Sequence, residues 1–360
     1  MSDQVSLEVD RQNLEQVRWV ESDRPKVGDG EVLARVDMFA FTANNITYAA
    51  VGDEIGYWKF FPASVSERGI IPVWGFADIV ESSDSTLSVG ERLYGYWPMS
   101  NYLMMRPAKV SAQSFLDATE HRRELPTVYN QYYRCAADPA YQVDHEPWQA
   151  IFRPLFITSF MIDDFLSDNQ YFGAEDVIIS SASAKTAFGT AFLQNRRSDR
   201  RVIGLTSPRN VAFVEALGCY DQVLSYERVG ELDRTQAAVY IDVAGNSALR
   251  GEIHHHYQDQ LKFSSAVGYS HLGSLRQGQT LPGPKPQFFF APTQVQKREH
   301  DWRDTGGVLG HYAQAWTAFL PTMRNWITIK HQCGTDAIGT TYQQTLAGQA
   351  GPQVGQILSW

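Results

Sequence analysis

From Tyr171 onward the chain alternates short apolar strands with helix-length segments, and this rhythm constrains the fold more than any other feature. "DVIISS" runs into a helical stretch from about Thr186, and "RVIGLTS" is followed by "NVAFVEALG". "QVLSY", "AAVYIDVAG" and "LKFSSAVGYS" come next. Strands spaced by helices in this way pair in parallel and are wound by right-handed crossovers. The fold class predicted is therefore α/β, with a Rossmann-type parallel sheet in this half of the chain.

The remainder reads differently. From about Val5 to Val110 short alternating runs such as "EVLARVDMFAF" and "ERLYGYWPMSNYLMM" are bounded by Gly, Asp and Pro, a β-rich pattern. Ser111 to Glu146 is polar, irregular and tyrosine-rich, and reads as an insertion or lid. "EPWQAIFRPLFITSFMIDDFL" carries helical spacing, although Pro154 is expected to break or kink that helix. The last 60 or so residues hold an aromatic helix and a glycine-rich, strand-like tail.

A chain of 360 residues has room for two domains and a large core, and 43% hydrophobic with 20% charged residues is a globular composition. A net charge of −9 argues against nucleic acid as the main partner. Three scattered cysteines (Cys135, Cys219, Cys333) point to a reducing, cytoplasmic setting rather than a disulfide framework. The N-terminal residues lack the features of a secretory signal, and with no apolar run of about 18 residues no membrane span is predicted.

"VIISSASAKTAFGTAF" (Val177–Phe192) places a small-residue turn between a strand and a helix. That is where a dinucleotide pyrophosphate binds. In the spacing G-x-x-G-x-x-G the glycine positions are Ser181, Ala184 and Ala187, all small. Ser181, Ser183 and Thr186 offer hydroxyls to a phosphate and Lys185 offers a charge. A Walker-type loop fits poorly, because its flanking glycines are missing. A plain structural turn without ligand is the competing interpretation. The following strand ends in "TSPRN" without the acidic residue that binds a free ribose hydroxyl. It presents Thr206, Ser207 and Arg209 instead, which suit a 2′-phosphate and favour NADP(H) over NAD(H). Arg209 could equally be a solvated arginine at the start of a helix.

These segments, in order, resemble the medium-chain dehydrogenase/reductase superfamily in its zinc-independent quinone oxidoreductase and enoyl reductase branch. "VLARVDMFAFTANNITYA" is similar to that family's first core strand and the Asn-containing loop after it. "IIPVWGFADIVESSDSTLSVGERLYGYWP" resembles its P-x-x-x-G-x-E-x-x-G-x-V…G-D-R-V stretch. "VAFVEALGCYDQVLSY" and "YIDVAGN" match later strands of its nucleotide domain. The resemblance covers nearly all of the chain except Ser111–Glu146. It implies a β-rich GroES-like domain of residues 1–150 and 305–360, with 111–146 inserted, and a Rossmann-type domain of residues 151–304. It further implies that Ala182, Tyr226, Asp242, Gly245 and Gly268 join Ser181–Thr186, Thr206, Ser207 and Arg209 around NADP(H).

Zinc-dependent members of that superfamily carry a cysteine in the loop that here reads "AFTANN", and Gly-His-Glu where this chain has Gly75, Phe76 and Ala77. With three scattered cysteines neither the catalytic nor the structural zinc site can be assembled, so no metal is expected. The run His254–His256 does not supply one, since consecutive helical residues point about 100° apart; a solvated helix face is the simpler reading. A carbonyl or enone must then be polarised by hydrogen-bond donors. The resemblance assigns this to a tyrosine after an Asn-containing loop and a glycine. Tyr57 matches best, Tyr48 is a rival, and Asn44 lies beside them in sequence; both tyrosines could also be ordinary half-buried residues. The function expected is an NADPH-dependent, zinc-independent reductase of an activated double bond, quinone or carbonyl in a hydrophobic small molecule, bound between the domains. A lyase or isomerase that does not consume NADP, and a non-catalytic nucleotide-binding protein, are the alternatives. Neither nucleic acid nor membrane is an expected partner, and a homodimer is compatible with the resemblance.

Overall fold

The computed structural model describes residues 3–197, 199–267 and 281–360. The chain divides into two units, Met1–Pro154 with Ile327–Trp360, and Leu155–Trp326.

The first unit is built on a nine-stranded sheet. At its centre Val32–Phe41, Pro72–Ser82 and Arg92–Pro98 pair antiparallel. Register places Trp74 opposite Tyr96, Phe76 opposite Tyr94 and Asp78 opposite Arg92. Side chains of a strand alternate between faces, so these six share one face, and it is mostly aromatic. A separate three-stranded sheet joins Val17–Ser22, Gln4–Asp10 and Arg68–Gly69.

The Ser111–Glu146 segment is not a detached insertion or lid. Its strands Ser114–Asp117 and Gln131–Arg134 extend the large sheet, with Tyr133 opposite Tyr94. The polar composition that hid these strands serves a buried ion pair, Arg122 with Asp117.

The helix Glu146–Asp168 is not broken at Pro154, which lies inside it. Ile151 and Phe152 before the proline and Phe156 and Phe160 after it are all buried. Together they outweigh the ~3 kcal/mol that an interior proline costs. The first unit ends at Pro154 and the second begins at Leu155. At the other boundary, residues up to Trp326 belong to the second unit, beyond the predicted limit of 304. The helix Gly307–Trp326 explains this, since its Phe319 stacks on Phe156 at 4.4 Å and its Tyr312 meets Phe160 edge-on.

The second unit holds the predicted parallel sheet. Its six strands lie in the order Gln222–Ser225, Arg201–Thr206, Asp176–Ser180, Ala238–Asp242, Leu261–Val267, Gln287–Phe289. In chain order this is third, second, first, fourth, fifth, sixth, all parallel. Sequence order reverses between the first and fourth strands, which opens a crevice at their carboxyl ends, the usual dinucleotide position. Ile178, Ile203, Leu205, Tyr240 and Ile253 are buried in the core below it.

Candidate functional site

Two groups of candidate residues are defined by their geometry, one in each unit. In the second unit the crevice is framed by a saturated polar knot. Ser180, the last residue of the first strand, donates its hydroxyl to Asp242 Oδ1 (3.1 Å) and accepts the amides of Val243 and Ala244 (both 3.0 Å). Asp242 Oδ1 also accepts the Gly245 amide (3.1 Å), and Oδ2 accepts Arg250 Nε (2.9 Å). Asp242 is fully buried. Gly245 turns the chain at φ +70°, a conformation that suits glycine. Asp242 and Gly245 thus shape the turn after the fourth strand.

The loop after the first strand enters the left-handed region at Ser181 (φ +52°), which costs about 1 to 2 kcal/mol in a non-glycine residue. Burial raises the pKa of the Tyr226 phenol, against hydrogen bonds with Ser181. The Ala182 amide donates to the Leu205 carbonyl (3.0 Å), and its own carbonyl accepts Tyr220 OH (3.0 Å). A Cβ on Gly204 would lie 3.0 Å from Ala182 Cβ and 2.9 Å from the Tyr220 ring, so a bare glycine lets the loop lie on the second strand. Ser183 Oγ accepts Asn210 Nδ2 (3.0 Å), which leaves its proton to donate. The Ala184 amide closes a turn onto the Ser181 carbonyl (2.7 Å).

Lys185 and Thr186 then open the helix Lys185–Arg197. Lys185 is half-buried, and desolvation pulls its pKa down to about 8. Among the described residues no hydrogen bond or ion pair engages it. The first-turn amides and the helix dipole already favour an anion at this position. At the second strand's end Thr206 is buried, Ser207 half-buried and Arg209 exposed, and no described side chain pairs with Arg209. Of the predicted cofactor residues, Gly268 lies outside the described residues. Ser180, Asn210, Tyr220 and Arg250 were missed. Only Asn210, in "SPRN", carried a visible signal, as a polar residue beside Arg209.

In the first unit Thr42 caps the helix Ala43–Ala50, which spans the stretch predicted as an Asn-containing loop. Its side chain accepts the Asn44 amide (3.2 Å), while Asn45 Oδ1 accepts the Thr42 amide (2.8 Å). Asn44 and Tyr48, one turn apart, face each other. Asn44 Nδ2 donates to Tyr48 OH at 2.7 Å, and Trp74 Nε1 donates to the same oxygen at 3.4 Å. The Tyr48 oxygen therefore accepts twice, and its proton has no acceptor among the described residues. Burial raises its pKa, which keeps that proton in place. Tyr57 follows Gly56 and packs on Tyr48 with ring centroids 4.6 Å apart. Its hydroxyl hydrogen-bonds Tyr129 OH at 2.8 Å. The three predicted catalytic residues thus lie together, with the Tyr48 hydroxyl accepting from Asn44 and the Tyr57 hydroxyl paired with that of Tyr129.

Phe76 is fully buried against Tyr94 and Tyr141 beneath the Arg92 guanidinium. Among the described residues no group of three His, Cys, Asp or Glu side chains could hold a metal. His254 is not on a solvated face. It lies one turn after Arg250, fully buried between Ser264 Oγ and the Pro282 carbonyl (both 2.9 Å), whereas His255 is exposed. No described helix is long and apolar enough to cross a membrane.

This strand order, with its separate β-rich unit, is the two-domain fold of the medium-chain dehydrogenases/reductases that the sequence resembles. CurA from Vibrio vulnificus, in complex with NADPH, superposes with a TM-score of 0.62 at 14% identity, covering 99% of this chain and 98% of that one. The quinone oxidoreductase from Coxiella burnetii gives 0.59 at 12% identity, and the CurK enoyl reductase 0.56 at 14%, each covering 99% of both chains. No curated protein matches the chain in sequence. The chain belongs to the family described as "Protein of unknown function (DUF2855)", whose model matches residues 39–351.

Proposed function

We propose that the protein is an NADPH-dependent reductase of an activated C=C bond, a quinone or a carbonyl in a hydrophobic small molecule, and that it needs no zinc. The observation that carries this reading is Tyr48, a buried phenol that accepts two hydrogen bonds and whose proton has no acceptor among the described residues. A carbonyl oxygen placed there receives that proton as a hydrogen bond, and the charge it gains on reduction strengthens the bond. Asn44 and Trp74 fix the direction in which the proton points.

The nucleotide loop fits NADPH by its donor set. Among the described residues Lys185, at a helix N-terminus, has no partner and the Ser183 hydroxyl, which accepts from Asn210, keeps a proton to donate, while Ser207 and Arg209 are of the types that suit a 2′-phosphate. When bound, NADPH supplies the hydride. Structures with the same fold are known with NADPH and as quinone and enoyl reductases, which supports this reading. NADPH oxidation is followed with benzoquinone and with a simple enone as acceptors. One NADPH consumed per acceptor reduced supports the reductase. Tight NADPH binding without turnover of either rejects it in favour of a non-catalytic nucleotide-binding protein.

A further inference from the structure

The Ser111–Glu146 segment, which the family resemblance does not cover, delivers a side chain to the Tyr48 cluster. Its turn Thr127–Tyr129 is braced by Arg122, which is only 1% exposed. Every nitrogen of Arg122 is engaged: Nε on Asn130 Oδ1 (2.8 Å), Nη1 on Asp117 Oδ2 and Tyr132 OH (both 2.9 Å), Nη2 on the Tyr129 carbonyl (2.9 Å). So fixed, the Tyr129 ring lies half-buried against Tyr96, Phe60, Tyr57 and Trp74, with centroids 4.9, 5.4, 5.5 and 6.1 Å away. Tyr57 and Trp74 are also the neighbours of Tyr48. The Tyr96 hydroxyl beneath is fully buried and has no hydrogen-bond partner among the described residues, an uncommon state in a core. Tyr129 is the most accessible of these rings.

We propose that Tyr129 is a substrate-contacting residue, and that its ring selects flat, polycyclic quinones by stacking. The proposal rests on Tyr48 as the donor to substrate. Offset and edge-to-face ring pairs gain more than their buried area alone provides, and that gain grows with the acceptor's ring system. A single-ring quinone offers less surface to the same wall.

The test is direct binding, read by quenching of tryptophan fluorescence in the full chain with phenanthrenequinone and with benzoquinone. The wild type should bind phenanthrenequinone more tightly. Tyr129→Ala should lose about tenfold in affinity for phenanthrenequinone and much less for benzoquinone, and Tyr129→Phe should restore most of the loss. If thermal melting shows that the alanine variant does not fold, Tyr129→Leu, bulky without a ring, is read in the same way. Absence of binding in the wild type, or an unchanged preference in the variant, overturns the proposal. NADPH oxidation is measured separately on the same samples. Altered binding without oxidation supports the Tyr129 contact and rejects the reductase; oxidation with an unchanged preference rejects the contact alone.

Discussion

Lys185 stands at the first turn of a helix, where the dipole opposes its charge and no carboxylate among the described residues relieves it. With a folded-state pKa lowered to about 8, the unfolded chain holds a proton that the folded chain has lost between about pH 8 and 10.5. Stability from this residue therefore rises with pH across that window and is lowest below it. Lys185→Ala should abolish the rise and make the ligand-free protein about 1 to 2 kcal/mol more stable near neutral pH, as urea unfolding at two pH values would show. The same change should weaken NADPH and NADH alike, through their common pyrophosphate. Arg209→Ala should weaken NADPH by about 1.5 to 3 kcal/mol and leave NADH nearly unchanged, since only NADPH carries the 2′-phosphate. Tyr48→Phe keeps the ring and removes the proton. Steady-state kinetics should show turnover reduced about a hundredfold or more with NADPH affinity intact. An undiminished rate would remove Tyr48 from the chemistry.

At the scale of elements, a buried ion pair holds the Ser111–Glu146 segment. Arg122→Ala leaves Asp117 charged, buried and unpaired, so it should cost about 3 to 5 kcal/mol in urea unfolding. A loss under 1 kcal/mol would mean that the brace is dispensable. This segment also shows where the sequence stopped being legible. Five of the six parallel strands read cleanly because they are apolar runs, whereas the short Gln287–Phe289 did not, and the small residues at Ser181, Ala184 and Ala187 marked the loop. The strands Ser114–Asp117 and Gln131–Arg134 did not read, because their burial depends on a polar partner, Arg122, five residues from one and ten from the other. The helix around Pro154 read from its spacing, but its continuity through the proline did not, since packing on both sides outweighs a local propensity. Within the loop, Lys185 and Ser183 were visible from residue type. The Tyr220 and Asn210 contacts that fix the loop reach 38 and 27 residues along the chain, so that neither pairing could be read locally. Tyr57 seemed the better donor from its place after Gly56; the Trp74 bond to the Tyr48 hydroxyl and the Tyr57–Tyr129 pair join distant parts of the chain and leave no local pattern.

For the whole molecule, nucleotide binding to the folded state alone should raise its stability. At NADPH one hundred times above Kd the gain is ≈ 2.7 kcal/mol, a rise in Tm of roughly 5 to 10 °C for a unit of this size. The purified protein should hold no stoichiometric zinc, and elemental analysis giving one per chain would contradict that. The central claim, that Lys185 and Arg209 have taken over the phosphate grip from glycine and backbone, is tested most directly by calorimetric titration of NADPH and NADH into wild type, Lys185→Ala and Arg209→Ala. The account predicts that Lys185→Ala weakens both nucleotides at least about tenfold and Arg209→Ala weakens NADPH alone. Unchanged affinities in Lys185→Ala, together with lowered stability of the ligand-free protein, would make the lysine a structural residue and contradict it.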